Sequence, residues 1–273
     1  EVSEFLKHKK DDVDDGSLTL VCLGDSFTMG TMSTNYVDAI AGAVTKKDQS
    51  LPRLNVVNAG QNGIGSWTMY HYHVNNAIAC DPDFVNIFIG GNDIRGTLGW
   101  MASADLVFIW NEPGLPTLDS FLENFDGILT RLVNETKAQI GVLTLPPYGE
   151  QLDSDMNHFV RCMNEEMSKI VSKHERCTIL PLNKAISTQI MSLPGERPPG
   201  PRVYHFPFFT LFRHLLGVPF DSMAFFFGMT FSFDNIHLTT SGCNILLDLI
   251  TTWVVDCCTK RLGSSPMKTD HED

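Results

Sequence analysis

Short apolar runs separated by longer amphipathic stretches set the pattern of this chain. Residues 18–23 (LTLVCL), 54–58 (LNVVN), 84–89 (FVNIFI), 140–145 (IGVLTL) and 178–180 (TIL) are apolar runs of strand length. Between them lie stretches with helical character at 35–44, 66–80, 118–137 and 153–173, and a last one runs from Thr239 or Thr240 to about 255. The clearest is 118–137, with apolar residues at 118, 121, 122, 125, 128, 129 and 132. Ser66 is placed to cap the second. Strands that alternate with helices in this way predict an α/β fold, a five-stranded parallel sheet with helices on both faces. In such a sheet the loops that follow strands share the carboxyl edge, where ligands bind.

The remaining segments break this rhythm. Residues 1–17 read as a polar lead-in, 18–262 as one domain, and 263–273 as a flexible tail. Two insertions interrupt the domain, at about 94–117 and 194–233. The first carries Trp100 and Trp110. The second contains 205–233, which holds ten of the 18 phenylalanines. There Pro207 suits a first helical turn, and Phe208, Leu211, Phe212, Leu215 and Leu216 follow on one face. Gly217 and Pro219 close that helix.

Composition narrows the function classes. The net charge is −12, which argues against a phosphate-tracking nucleic-acid binder and against purely electrostatic attraction to anionic lipid. Seven cysteines, an odd number without metal-type spacing, do not read as a disulfide scaffold. No run of 18 uncharged apolar residues predicts a membrane-spanning helix. His71 and His73, two apart, do not share a helix face, so no metal site is expected there.

Four motifs carry chemistry. The first strand stops at Gly24-Asp25-Ser26, which makes Ser26 a candidate nucleophile at a helix N-terminus. The second ends in NAGQNGIG (58–65), a loop with three glycines. The third runs into Gly90-Gly91-Asn92-Asp93. Late in the chain, Asp234 and His237 stand three apart, close enough for a carboxylate to orient an imidazole. A nucleophile, a base, a group to orient it and neutral donors for an oxyanion are what acyl transfer needs.

These blocks resemble the SGNH hydrolases, also called the GDSL esterase/lipase family, with Phe27 in place of the usual leucine. The resemblance implies a flavodoxin-like three-layer α/β/α sandwich and metal-free ester hydrolysis, with no cofactor. It implies Ser26 as nucleophile, His237 as general base and then acid, and Asp234 as its partner. The oxyanion hole would comprise Ser26, Gly63 and Asn92, with Gly60 the competing glycine. Asp93 is expected in a loop or capping role. Trp100, Trp110, Phe208, Phe212 and Leu215 are expected to line the substrate site, with burial against the scaffold the alternative for the two tryptophans, and with 205–233 as a lid or acyl-chain wall that touches a lipid surface, or else as core. The expected substrate is a small-molecule or lipid-like acyl ester. A carbohydrate O-acetyl esterase and a noncatalytic binding module are the alternatives.

Overall fold

The computed structural model describes residues 2–9, 16–200 and 215–263, side chains at 8, 100–102 and 261–263 excepted. Five strands form one parallel sheet: β1 (Leu18–Gly24), β2 (Leu54–Gly60), β3 (Phe84–Phe88), β4 (Gln139–Leu143) and β5 (Cys177–Leu180). Their order is β2-β1-β3-β4-β5. In register, Leu20 of β1 stands between Val56 of β2 and Phe84 of β3. The chain leaves β1 on one side to make β2, then crosses back to make β3 on the other. The loops after β1 and β3 therefore diverge at a topological switch point, where sheets of this class open a crevice.

Alternation along β1 divides the core. Leu20 and Cys22 face a layer that includes Ile40 of α3 (Val37–Lys47), Ile186 of α10 (Leu182–Ser192), and Leu246 and Ile250 of α12 (Thr240–Gly263). Val21 and Leu23 face Met69, Phe121 and Phe125 of α8 (Leu118–Glu135), and Val160 of α9 (Asp155–Val171). Thr117 starts α8, its hydroxyl accepting from the Ser120 N–H at 3.1 Å. By length and composition, 240–260 could cross a membrane. In the fold, Leu246, Ile250, Trp253 and Val254 are buried, and the helix packs as part of the core.

The structure departs from the pattern in several places. The start of the polar lead-in is a helix, α1 (Val2–Lys9). Val2, Phe5 and Leu6 form a narrow stripe that packs on the core, and Lys9 Nζ donates to Cys80 O at 2.6 Å. The helix expected at 66–80 has three parts, α4 (Ser66–Thr68), a π-helical turn (Met69–His73) and α5 (Val74–Ala79). The irregular insertion at 94–117 includes the end of α6 (Gly91–Gly96) and all of α7 (Trp100–Phe108). A further helix, α11 (Phe220–Phe226), precedes the last motif. The helix expected from Pro207 lies mostly outside the described residues, as do Phe208, Phe212 and the tail beyond 263.

Candidate active site

The site begins where β1 ends. A Cβ on Gly24 would stand 2.7 Å from Phe88 O, so only glycine allows this approach of β1 to β3. Asp25 then caps α2 (Ser26–Met29), its Oδ1 accepting from the Phe27 N–H at 3.0 Å. Ser26 opens that turn and is nearly buried. Its Oγ lies 2.9 Å from His237 Nε2.

His237 comes from a hairpin that precedes α12. The hairpin carries a bridge between Ser232 and Leu238, and the Phe233 N–H donates to His237 O at 3.2 Å. Asn235 holds its tip at φ +74°, a conformation asparagine tolerates better than most side chains. Asp234 Oδ2 is 2.6 Å from His237 Nδ1. Its Oδ1 accepts the N–H groups of Ile236 at 3.0 Å and His237 at 2.6 Å. With Asp234 as the acceptor, the ring proton belongs on Nδ1, and Nε2 is left to accept from the serine hydroxyl. The rings of Phe27 and Phe233 flank the imidazole at centroid distances of 5.6 and 5.9 Å.

The two competing glycines differ in their partners. The Gly60 N–H donates to Asn58 Oδ1 at 2.9 Å, and a Cβ there would meet Met29 N at 2.4 Å. Gly60 is a packing position, with its N–H already engaged. Gly63 sits at φ +78° in a turn, and its N–H has no acceptor among the described residues. The amide of Asn92, near the start of α6, donates to Ile64 O at 2.9 Å. That bond uses one amide hydrogen and aims the other away from Ile64.

Trp110 packs against Gly63, where a Cβ would stand 2.9 Å from the indole Nε1. Trp100 begins α7, and its side chain is not described. Leu215 is largely exposed. Asp93 plays the capping role, accepting from the Ser66 N–H at 3.1 Å and the Ser66 hydroxyl at 2.6 Å. Burial raises its pKa to about 6, the Ser66 bonds opposing. Burial likewise raises Asp25 to about 7, against the opposing bond from Phe27.

Sequence reasoning missed Glu112. It is buried, and its Oε1 accepts from the Gly65 N–H at 3.1 Å and the Thr68 hydroxyl at 2.8 Å. The insertion after the third motif thus reaches back through Trp110 and Glu112 to hold the second. A lone glutamate in an insertion leaves no pattern that announces this. Among the described residues, no group of His, Cys, Asp and Glu is gathered as a metal site.

Solved structures share this arrangement of elements. An alpha/beta hydrolase enzyme, LAE5, from the metagenome of Lake Arreo, Spain, superposes with a TM-score of 0.61 at 16% identity. The match covers 87% of this chain and 96% of that one. Axe2, an acetylxylan esterase from Geobacillus stearothermophilus, superposes with a TM-score of 0.60 at 17% identity, over 86% of this chain and 93% of its own. At such identities the likeness is one of fold. No curated protein matches the chain. The model of the GDSL-like lipase/acylhydrolase family matches residues 22–242, a span that holds all four motifs and most of the chain, and the protein belongs to that family.

Proposed function

We propose that this carboxylic ester hydrolase works through a Ser26 acyl-enzyme and takes lipid-like acyl esters. The observation that carries the mechanism is the continuous relay from Ser26 Oγ to His237 Nε2, at 2.9 Å, and from His237 Nδ1 to Asp234, at 2.6 Å. Ser26 Oγ attacks the ester carbonyl carbon while His237 Nε2 takes the hydroxyl proton. The carbonyl oxygen becomes an oxyanion, met by the N–H groups of Ser26 and Gly63 and by the Asn92 amide. The carbon–oxygen bond to the alcohol then breaks, and His237 delivers the proton to the departing oxygen. Water repeats the sequence on the acyl-enzyme, with His237 first base and then acid, and frees the carboxylic acid and Ser26. Asp234 holds the imidazole tautomer throughout.

The acyl preference is supported by α11. Its inner residue Phe220 stacks on Phe233 at 4.5 Å, and Phe233 in turn stacks on His237. On its outer side Phe225 and Phe226 are 85% and 83% exposed, and Leu215 and Leu216, which precede the helix in sequence, are also exposed. A helix that packs with one side on the ring beside the base and offers two phenylalanines on the other suits a long acyl chain or the surface of a neutral lipid aggregate.

A second reading, hydrolysis of carbohydrate O-acetyl groups, draws on the fold likeness to the acetylxylan esterase Axe2. It also draws on a surface cluster just after the glycine loop, where Trp67 lies 4.5 Å from His71 and 5.8 Å from Tyr72 between ring centroids. The test is a panel of nitrophenyl esters from acetyl to palmitoyl, with and without phosphatidylcholine vesicles, beside acetylated xylooligosaccharides. Rising kcat/KM with chain length supports the first reading. Turnover confined to acetyl groups on sugar overturns it.

A further inference from the structure

Outside the site, three buried polar side chains, Glu150, Asn157 and Asn164, meet at the loop that follows β4. Residues 145–151 supply none of the reacting groups, yet they are fixed at several points. On α9, Asn164 Oδ1 accepts from the Leu145 N–H at 2.7 Å, and its Nδ2 donates to Leu145 O at 2.9 Å. Two turns earlier on the same helix, Asn157 treats Tyr148 alike, at 2.8 and 3.0 Å, and also donates to Gln151 O at 2.8 Å. Both asparagines are buried. Side-chain amides that satisfy loop backbone from a rigid helix make the loop a fixed support.

The support meets the hairpin that bears Asp234 and His237. At the tip, the Gly149 N–H donates to Asn235 O at 2.8 Å. At the base, Glu150 Oε1 accepts the N–H groups of Thr230 at 2.6 Å and Phe231 at 2.7 Å. Glu150 is 1% exposed. Across the hairpin, the Thr239 hydroxyl donates to Thr230 O at 2.6 Å and its N–H donates to Phe231 O at 3.0 Å. Arg197 stands 3.8 Å from the second oxygen of Glu150, which has no hydrogen-bond partner among the described residues, and is itself tied to Pro194 O at 2.7 Å.

We propose that Glu150 is a positioning residue for the reaction: it fixes the leg from which Asp234 projects and so aims His237 Nε2 at Ser26. The inference rests on the assignment of Asp234 and His237 proposed above. A two-legged ribbon alone holds its shape poorly in water. One buried oxygen that takes two consecutive N–H groups at short distance anchors this leg before it turns. The demand on the anchor is strict, because displacing a reacting group by about 1 Å costs on the order of a hundredfold in rate.

The test compares Glu150→Ala, Glu150→Asp and Glu150→Gln with the wild type on a nitrophenyl ester. Active sites are counted by end-point labelling with a fluorophosphonate. Glu150→Ala and Glu150→Asp, which remove or withdraw the acceptor, are expected to lower kcat per labelled site by about 30- to 100-fold with KM nearly unchanged. The acid limb of their kcat/KM profile moves to lower pH, because a displaced Asp234 supports the imidazolium less well. Glu150→Gln keeps an acceptor oxygen and recovers most of the rate and the wild-type limb. If Glu150→Ala does not fold, the contrast between Asp and Gln carries the test. Wild-type kcat per labelled site and an unmoved limb in Glu150→Asp, with only a lowered Tm, would overturn the inference. A Ser26→Ala control separates the two failures: retained turnover there refutes the proposed site itself.

Discussion

Gly63→Ala tests the proposed oxyanion donor with a single carbon atom. Two separate effects act on the new methyl group. At φ +78°, an L side chain costs about 1–2 kcal/mol against the neighbouring carbonyl. The Cβ would also stand 2.9 Å from Trp110 Nε1, whereas ordinary contact begins at 3.4 Å, so about half an ångström must be found. The indole is packed against the core, so much of that movement falls on the turn that carries the Gly63 N–H. Complete loss of one oxyanion donor costs about 2.7–4 kcal/mol, or 10²- to 10³-fold in kcat. Partial displacement of one donor among three is expected to lower kcat by roughly 10- to 100-fold, with KM changed little. Steady-state kinetics on a nitrophenyl ester, normalised to fluorophosphonate-labelled sites, measure it. Adding Trp110→Ala relieves the clash but not the φ penalty, so the double variant should regain several-fold over Gly63→Ala. Wild-type kcat in Gly63→Ala would refute the donor assignment. A double variant no better than the single one would refute the steric reasoning.

The other expected outcomes are more direct. Ser26→Ala and His237→Ala should each lower kcat on the order of a millionfold while the fold survives by circular dichroism; a tenth of wild-type activity in Ser26→Ala would rule out its role as nucleophile. Burial raises Asp25 to about 7 and Asp93 to about 6, above the ordinary value near 4, so the folded state holds protons that the unfolded chain has released. Their stabilising contribution is present below that ordinary value and is lost as pH rises towards 7, at up to about 1.4 kcal/mol per pH unit for each group. Asp25→Asn keeps the acceptor for the Phe27 N–H, so its Tm relative to wild type should improve between pH 5 and pH 8; a difference independent of pH would contradict the assignment. Replacing Phe225 and Phe226 by serine should abolish binding to phosphatidylcholine vesicles and flatten the dependence on acyl length, while acetyl-ester turnover stays within about twofold. Unchanged vesicle binding in a co-sedimentation assay would remove α11 from the lipid-facing role.

What could be read in advance depended on whether the information was local. The strands were legible because 18–23 and 84–89 are apolar on both sheet faces, and each ends in a motif whose residue types are themselves the chemistry. The helix at the N-terminus was obscured because Val2, Phe5 and Leu6 make only one turn of stripe among charges, and its packing partner is the core beneath it. Gly63 and Gly60 look alike in sequence. Only the Asn58 oxygen on one N–H and the indole against the other Cα separate them. Glu112 and Glu150 were invisible for a related reason. Their partners lie 47 and 81 residues away at Gly65 and Phe231, and a single buried carboxylate leaves no periodicity behind.

The bond between Ser26 and His237 spans 211 residues. β1 lies inside the sheet, paired with β2 and β3, whose residues follow it within the first third of the chain. The hairpin that carries His237 joins from the far end, after β5 and α10. Contacts of such long sequence separation are slow to form, since a large loop must close before they return any stability. During refolding, therefore, the serine turn can be in place while no imidazole yet faces it. Acquisition of esterase activity becomes a clock for the docking of the C-terminal hairpin. Recovery of helix and sheet signal would run ahead of that clock.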